Sequence, residues 1–363
     1  MRILIDIGHP AHVHYYRNLT IMLINNGHDV IITVKDIQVA KELLQYYGLS
    51  YTLLPKKSDG IFGKILRQIQ YNLKLLAICK KENINIGVGT SVALPHVSLL
   101  SNVKSIIFDD DDDDVQPLIT KYVNPYANAL LSPDALSGKR KREDTLYYKG
   151  YQELAYLHPN RFQPDPSVLE DVGVQEGDSF FILRFNVFKA HHDIGVRGFS
   201  LELKLRLIEY LKPHGKILIT TERSIDPELK DYQMYVSPEK IHSLLYYAKM
   251  FIGDSQTMTS EAAILGTPAI RCNSFVGRIS YLAEQEYKYG LTYGFRPDQT
   301  DQMFKKIDEL LKMNNLKEEW SRRRYHMLQD KIDVTGFMVW FVENYPASFK
   351  IMKEHPEYQY NFK

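Results

Sequence analysis

Cysteine is almost missing from this chain: 363 residues carry two, Cys79 and Cys272. Thiols so far apart, without ligand spacing, build neither a disulfide framework nor a zinc site, and they fit a reducing cytoplasm. A dominant charge is missing too. The 45 Lys and Arg residues balance 44 Asp and Glu to a formal +1, so no global field recruits nucleic acid or an anionic membrane. Long hydrophobic runs are also lacking. No stretch reaches the roughly 18 uninterrupted apolar residues that span a bilayer. The first apolar run, Ile3-Leu4-Ile5, stops at Asp6, which reads as a strand and not as a signal peptide. What remains is an ordinary globular composition, 44% hydrophobic and 25% charged, in a chain long enough for two domains.

Strand-like apolar runs alternate with helix-like periods. Residues 2–7, 29–34, 50–54, 84–88 and 105–108 read as strands, with helices at 14–26 and 39–47. The proline-rich stretch PNRFQPDP, residues 159–166, marks a boundary. The alternation then resumes with strands at 180–183, 216–220, 250–252 and 269–271, and helices at 201–211, 239–248 and around Glu261. Such repetition implies α/β architecture, with parallel sheets covered on both faces. Open sheets of this class take ligands outside the carboxyl ends of their strands.

The most informative segment is FIGDSQTMTSEAAILGTPAIR, residues 251–271. An apolar strand ends at Gly253-Asp254-Ser255, and a helix opens at Ser255 or Thr257. Gly266 stops it and Pro268 prevents its continuation. A strand feeding a helix through small hydroxyl residues aims free N–H groups and the positive helix end at whatever sits above, which makes a place for a phosphate. Glu261, one turn further in, is placed to accept hydrogen bonds from a ribose. The plain alternative is an ordinary capped corner.

Other candidates stand at other strand ends. Asp6-Ile7-Gly8-His9-Pro10-Ala11-His12-Val13-His14 carries three histidines beyond the first strand, with Gly8 allowing a tight turn. His9 or His12 would deprotonate a sugar hydroxyl; alternatively one caps the next helix and another is merely exposed. Asp109 through Asp114 follow Phe108. Six adjacent carboxylates cannot all be buried, so most should point into solvent, with Asp109 or Asp110 as a base or hydroxyl ligand. Arg184 offers a planar fork to a diphosphate, and His191 and His192 follow it. Thr221, Glu222 and Arg223 end another strand and would contact the base or sugar. The basic run Lys139-Arg140-Lys141-Arg142 reads as a solvated loop. Residues 60–81 carry a helical apolar stripe beside Lys64, Arg67, Lys74, Lys80 and Lys81; core packing explains the stripe, and a membrane carrying a lipid-linked acceptor is the alternative.

The order Asp-Ser, Ser-Glu-Ala-Ala, Leu-Gly-Thr-Pro-Ala-Ile resembles the nucleotide-diphosphate signature of GT-B glycosyltransferases and non-hydrolysing UDP-GlcNAc 2-epimerases. Over nearly its whole length the chain is similar to an uncharacterised bacterial and archaeal GT-B-like domain family of unknown function. The resemblance implies two Rossmann-like parallel-sheet domains facing a cleft. Residues 1–166 would be the acceptor domain and 167–333 the nucleotide-sugar domain, with 334–363 crossing back to the first. It implies that Ser255, Gln256 and Thr257 take the diphosphate and Glu261 the ribose, and that residues 235–238 hold the nucleobase. Acceptor-side catalytic groups in the first loop favour His9, then His12.

The implied activity is transfer of a sugar from a nucleotide-diphosphate donor, UDP-linked, to a hydroxyl of a carbohydrate or lipid-linked acceptor. Cell-surface polysaccharide or glycolipid synthesis is the implied setting, in the cytoplasm with peripheral membrane contact left open. No cofactor beyond the donor, no metal and no nucleic acid is expected, since the aspartate–metal motif belongs to the GT-A fold. Nucleotide-sugar epimerisation and a non-catalytic scaffold are the alternatives. Against epimerisation, Gly87-Val88-Gly89-Thr90-Ser91 lacks the Gly-Asp-Thr of the epimerases, the aspartate run replaces their Glu-bearing segment, and their histidine-arginine motif is not reproduced near Arg184.

Overall fold

In the computed structural model the alternating apolar runs become two parallel sheets. The structure describes all residues except 56–60, 186–198 and 222–224, and the side chains of 61, 62, 64 and 65. The chain divides into one unit of Met1–Arg161 with Lys331–Lys363, and a second of Phe162–Asp330. The sequence places these boundaries at 166, from the proline-rich stretch, and at 333, from the resemblance.

Among the described residues the first unit has seven strands: β1 Arg2–Ile7, β2 Asp29–Lys35, β3 Thr52–Leu54, β4 Ile86–Gly89, β5 Lys104–Phe108, β6 Ala129–Pro133 and β7 Leu146–Tyr148. Their order is β3-β2-β1-β4-β5-β6-β7, and every pairing is parallel. Ile3, Leu4, Ile5, Val88, Ile106 and Leu130 are sealed inside, each such side chain contributing about 1.5–3 kcal/mol over an exposed one. The order runs outward in both directions from β1 and β4. Their carboxyl ends are therefore the topological switch point where ligands of such sheets bind.

The second unit has β8 Phe180–Arg184, β9 Lys216–Thr220, β10 Met250–Gly253, β11 Ala269–Cys272 and β12 Thr292–Phe295. Their order is β12-β11-β10-β8-β9, again parallel. Here the switch point lies between β8 and β10.

The chain returns to the first unit through Asp333. Its Oδ1 accepts from Gly336 N at 3.1 Å, capping the helix Val334–Glu343, while Arg161 donates to its Oδ2 through Nε at 2.9 Å and Nη2 at 2.5 Å. Within the same unit Thr335 Oγ1 donates to Ala155 O at 2.6 Å. Phe337 stacks on Tyr148 with ring centroids 5.9 Å apart.

One sequence reading needs correction here. The helix Ile61–Lys81 buries Tyr71, Leu75 and Cys79, but Leu66, Ile69 and Leu73 are 64%, 50% and 60% exposed. Core packing therefore accounts for one side of the helix only. Among the described residues no helix is long and apolar enough to cross a membrane.

Candidate functional site

At the first switch point the residues after β1 enter the helix Pro10–Asn25. His9 is its N-cap, exposed, with Nδ1 accepting from Ala11 N at 3.2 Å. His12 sits in the first turn, half-buried, with Nδ1 accepting from Gly8 N at 3.2 Å. Each neutral ring therefore carries its proton on Nε2 and presents a donor there. Gly8 is not in a left-handed conformation, and a Cβ on it would come no closer than 3.5 Å to Lys35 Nζ. Its N–H, and not its freedom at a tight turn, is what the fold uses. His14 departs from expectation: it lies inside the helix, buried and stacked on Tyr156 at 5.3 Å.

Beneath these rings runs a closed polar network. Thr33 Oγ1 donates to Asp6 Oδ1 at 2.8 Å, and Ser91 Oγ donates to Asp6 Oδ2. Ser91 Oγ in turn accepts from Ala93 N and Leu94 N at 3.1 and 3.2 Å. Tyr16 OH donates to Thr90 Oγ1 at 2.8 Å, because Thr90 Oγ1 itself donates to Phe108 O at 2.9 Å. Burial pushes the Tyr16 phenol far up, so it stays a donor.

The aspartate run overturns its own expectation. Asp109, Asp112 and Asp113 are buried, Asp110 and Asp111 are half-buried, and Asp114 alone is exposed. The reason is Arg140, from the basic run read as a solvated loop, whose side chain is 1% exposed. Its Nη1 meets Asp109 Oδ2 at 3.1 Å and Asp113 Oδ1 at 2.8 Å, Nη2 donates to Asp109 O at 2.5 Å, and Nε donates to Ser132 Oγ at 3.0 Å. Lys141 N adds a bond to Asp113 Oδ2 at 2.7 Å, and Asn124 Nδ2 one to Asp109 Oδ2 at 3.2 Å. Arg142 is also pinned, donating to Asn124 O and Ala127 O at 2.6 and 2.8 Å. The two charge runs are partners.

Arg140 offsets the charge of Asp110 only in part. Burial, then Glu153 and Asp109, raises its carboxyl well above the ordinary range. Asp111 is raised likewise, by burial, Asp110 and Asp109. Asp109, Asp110 and Asp111 can each bring a carboxylate oxygen within 4.8 Å of the others, a donor set that suits a hard cation. Any such ion would have to displace the protons that these raised carboxyls favour.

In the second unit Arg184 ends β8, buried, with Nη1 donating to Thr220 Oγ1 at 3.3 Å. Thr221 follows, half-buried. His191, His192, Glu222 and Arg223 lie outside the described residues. Beyond β10, Ser255 is the N-cap of the helix Gln256–Leu265: its backbone is extended and its Oγ accepts from Met258 N at 3.3 Å. Thr259 N closes the first turn onto Ser255 O at 3.3 Å. The N–H groups of Gln256 and Thr257 precede that turn and have no intrahelical acceptor, and both residues are half-buried where the rest of the helix is buried. Gly266 ends the helix in the left-handed region at φ 81°.

Glu261 is 5% exposed, and His242 Nε2 donates to its Oε1 at 3.0 Å. His242 belongs to the helix Ile241–Tyr247 and is itself buried. It and Arg140 were missed in the sequence, because neither sits in a motif; only the presence of an unmatched carboxylate elsewhere points to them. Tyr235, in the segment expected to hold a nucleobase, is exposed, and its hydroxyl donates to Gln233 Oε1 at 3.0 Å.

A family model described as a protein of unknown function (DUF354) matches residues 1–334. An uncharacterised protein of Methanocaldococcus jannaschii is 22% identical over 302 residues, 78% of this chain and 85% of that protein. A crystal structure of a UDP-N-acetylglucosamine 2-epimerase is similar with a TM-score of 0.65 at 13% identity, over 95% of this chain and 97% of that one. The glycosyltransferase VinC in complex with dTDP is similar with a TM-score of 0.60 at 14% identity, over 96% and 100%. At such identities the likeness is one of fold, namely GT-B, with two Rossmann-like parallel-sheet domains. The match over residues 1–334 makes the chain a member of the DUF354 family, whose function is unknown.

Proposed function

We propose that this protein is a glycosyltransferase that moves a sugar from a nucleoside-diphosphate donor, UDP-linked, to a hydroxyl acceptor. One observation carries the reading: the buried Arg184 ends β8 beside β10, whose continuation is the Ser255-capped helix with the Gln256 and Thr257 amides at its start. A cation and a helix N-terminus at one switch point suit the charge of a departing diphosphate. Glu261, one turn further along the helix, would accept from the ribose hydroxyls through a carboxylate that His242 orients. A solved relative by fold, VinC, is a glycosyltransferase in complex with dTDP, which supports a donor of this class.

In transfer, a base takes the acceptor proton, the acceptor oxygen attacks the anomeric carbon, and the carbon–oxygen bond to the diphosphate breaks. Asp110 suits the base, as a carboxyl raised above its ordinary range by burial, Glu153 and Asp109. His9 and His12, whose Nδ1 atoms accept backbone N–H groups, suit the donor role, toward acceptor hydroxyls. Leu66, Ile69 and Leu73, exposed beside Lys74 on a helix whose last turn carries Lys80 and Lys81, suit peripheral contact with a membrane bearing a lipid-linked acceptor. That would set the protein at the cytoplasmic face, in polysaccharide or glycolipid synthesis.

Calorimetry of UDP, GDP, ADP, CMP and dTDP on wild type, Glu261→Ala and Glu261→Gln tests the reading. One nucleoside diphosphate should bind wild type. Both variants should weaken it tenfold or more, as expected when charge-assisted bonds to the ribose are lost; Glu261→Gln keeps an acceptor for His242 and so guards against simple misfolding. Absence of binding by every nucleotide, or unchanged affinity in both variants, would refute the donor site. Interconversion of two nucleotide sugars without an acceptor would replace transfer by epimerisation.

A further inference from the structure

The residue row that ends β8, β9 and β10 of the second sheet holds a cation with no role in the reading above. Thr220, Arg184, Gly253, Arg271 and Gly294 are in register across β9, β8, β10, β11 and β12. Residues in register on neighbouring parallel strands share a face, and the bond from Arg184 to Thr220 lies on it. Two strand spacings, about 9.6 Å, separate the backbones of Arg184 and Arg271. Gly253 stands between them. A Cβ there would meet Arg184 O at 2.5 Å, so the strand that feeds the helix Gln256–Leu265 has no side chain between the two arginines.

Arg271 is 2% exposed, and neither its Nε nor its Nη1 has a hydrogen-bond partner. No carboxylate forms an ion pair with it among the described residues. Glu286 acts on it only at longer range, and burial raises that carboxyl while Gly294 donates to it. Burial also lowers the Arg271 pKa, yet a guanidinium keeps its proton at any physiological pH. Buried cations are ordinarily paired. This one stands at the sheet edge that feeds the helix start, in register with Gly253, two residues before the Ser255 cap.

We propose that Arg271 is a binding residue for the second phosphate of the donor: Arg184 and the helix start hold one phosphoryl group, Arg271 holds the other, and the site thereby selects nucleoside diphosphates over monophosphates. The inference rests on the donor site proposed above and adds its specificity determinant. A monophosphate satisfies one cation of the row and leaves the other buried without an anion. A diphosphate supplies a group for each.

The test is calorimetry of UDP against UMP, dTDP against dTMP and inorganic pyrophosphate against orthophosphate, on wild type, Arg271→Met and Arg271→Lys. Thermal unfolding of the same ligand-free proteins is measured in parallel. Wild type should prefer the diphosphate of a pair. Arg271→Met should lose about 10- to 100-fold in diphosphate affinity and little in monophosphate affinity, and Arg271→Lys should fall between them. Ligand-free Arg271→Met should melt at or above the wild-type temperature, since an apolar side chain of similar volume replaces an unpaired buried charge. A clear drop in melting temperature would make Arg271 a structural residue and overturn the proposal. So would diphosphate preference unchanged in Arg271→Met, which leaves the donor site itself standing. If no ligand binds wild type, the donor site and this inference fall together.

Discussion

Replacing Arg140 by Met should unfold the first unit far more readily at neutral pH than at acid pH. The guanidinium meets Asp109 and Asp113 at 3.1 and 2.8 Å with 1% of its side chain exposed. Taking it away leaves Asp109 with the Asn124 and Asp111 donors and Asp113 with Lys141 N, but neither with a cation. Breaking a buried pair from one side costs about 3–5 kcal/mol. With a urea m-value near 3 kcal/mol/M, the midpoint moves down by roughly 1–1.7 M. Trp340 lies in the first unit and Trp320 in the second, so fluorescence in a Trp320→Phe background follows the unit concerned.

The pH dependence gives the sharper check. Arg140 pulls the Asp110 and Asp111 carboxyls down against the burial that raises them, so the variant raises both further. A carboxyl whose folded pKa exceeds its unfolded value binds more protons when folded. Its contribution is fully present below the unfolded pKa, near 4, and is lost as pH rises through the folded pKa. The deficit of Arg140→Met should therefore shrink from pH 7 toward pH 4. A loss below about 1 kcal/mol at pH 7, the value of an exposed pair, would mean that the run is solvated after all. A deficit independent of pH would refute the electrostatic account.

By the same sign, Asp110→Asn should stabilise the fold at pH 7 while abolishing turnover and sparing nucleotide affinity; a variant that still turns over would remove Asp110 as the base. In wild type the acid limb of activity should titrate above the ordinary carboxylate range, read from initial rates against pH. Ser255→Ala should cost about 1 kcal/mol of stability through its lost cap and weaken the nucleoside diphosphate in calorimetry, whereas loss of stability alone would leave Ser255 a cap and nothing more. Leu66→Gln, Ile69→Gln and Leu73→Gln combined should abolish sedimentation with phosphatidylglycerol vesicles without lowering the melting temperature, since all three side chains are exposed. Sedimentation unaffected by the three changes would dismiss that face.

Much of the fold is legible in the chain because its signals are local. Ile3-Leu4-Ile5 ended by Asp6, and Phe251-Ile252 ended by Gly253, are runs whose length and termination specify buried parallel strands. The Ser255 cap and Gly266 stop are likewise set by residues within one turn of each helix end. What is not legible is set by partners distant in sequence. β6 carries Pro133 and β7 spans three residues, too little pattern to separate from a loop, yet both are held by pairing onto β5 and onto each other. The aspartate run looks solvated until Arg140, 27 residues from Asp113, is placed inside it. Glu261 reads as a ligand-facing carboxylate because nothing in its helix announces His242, 19 residues upstream.

The two switch points carry opposite electrostatics, and that difference bears on the kind of chemistry. In the first unit the strand ends gather Asp109, Asp110 and Asp111, with burial raising Asp110 and Asp111, and Glu153 adding to Asp110. Carboxyls raised in this way take up a proton more readily than ordinary ones. In the second unit the strand ends gather Arg184, Arg271 and a helix N-terminus, which favour anions. A binding scaffold for nucleotide sugars requires the second set alone, and a raised carboxyl gives it nothing. Transfer requires both, a proton acceptor for the incoming hydroxyl and cations for the departing diphosphate. Asp110→Asn therefore separates the two: an enzyme loses turnover and keeps its ligand, whereas a scaffold shows no turnover to lose.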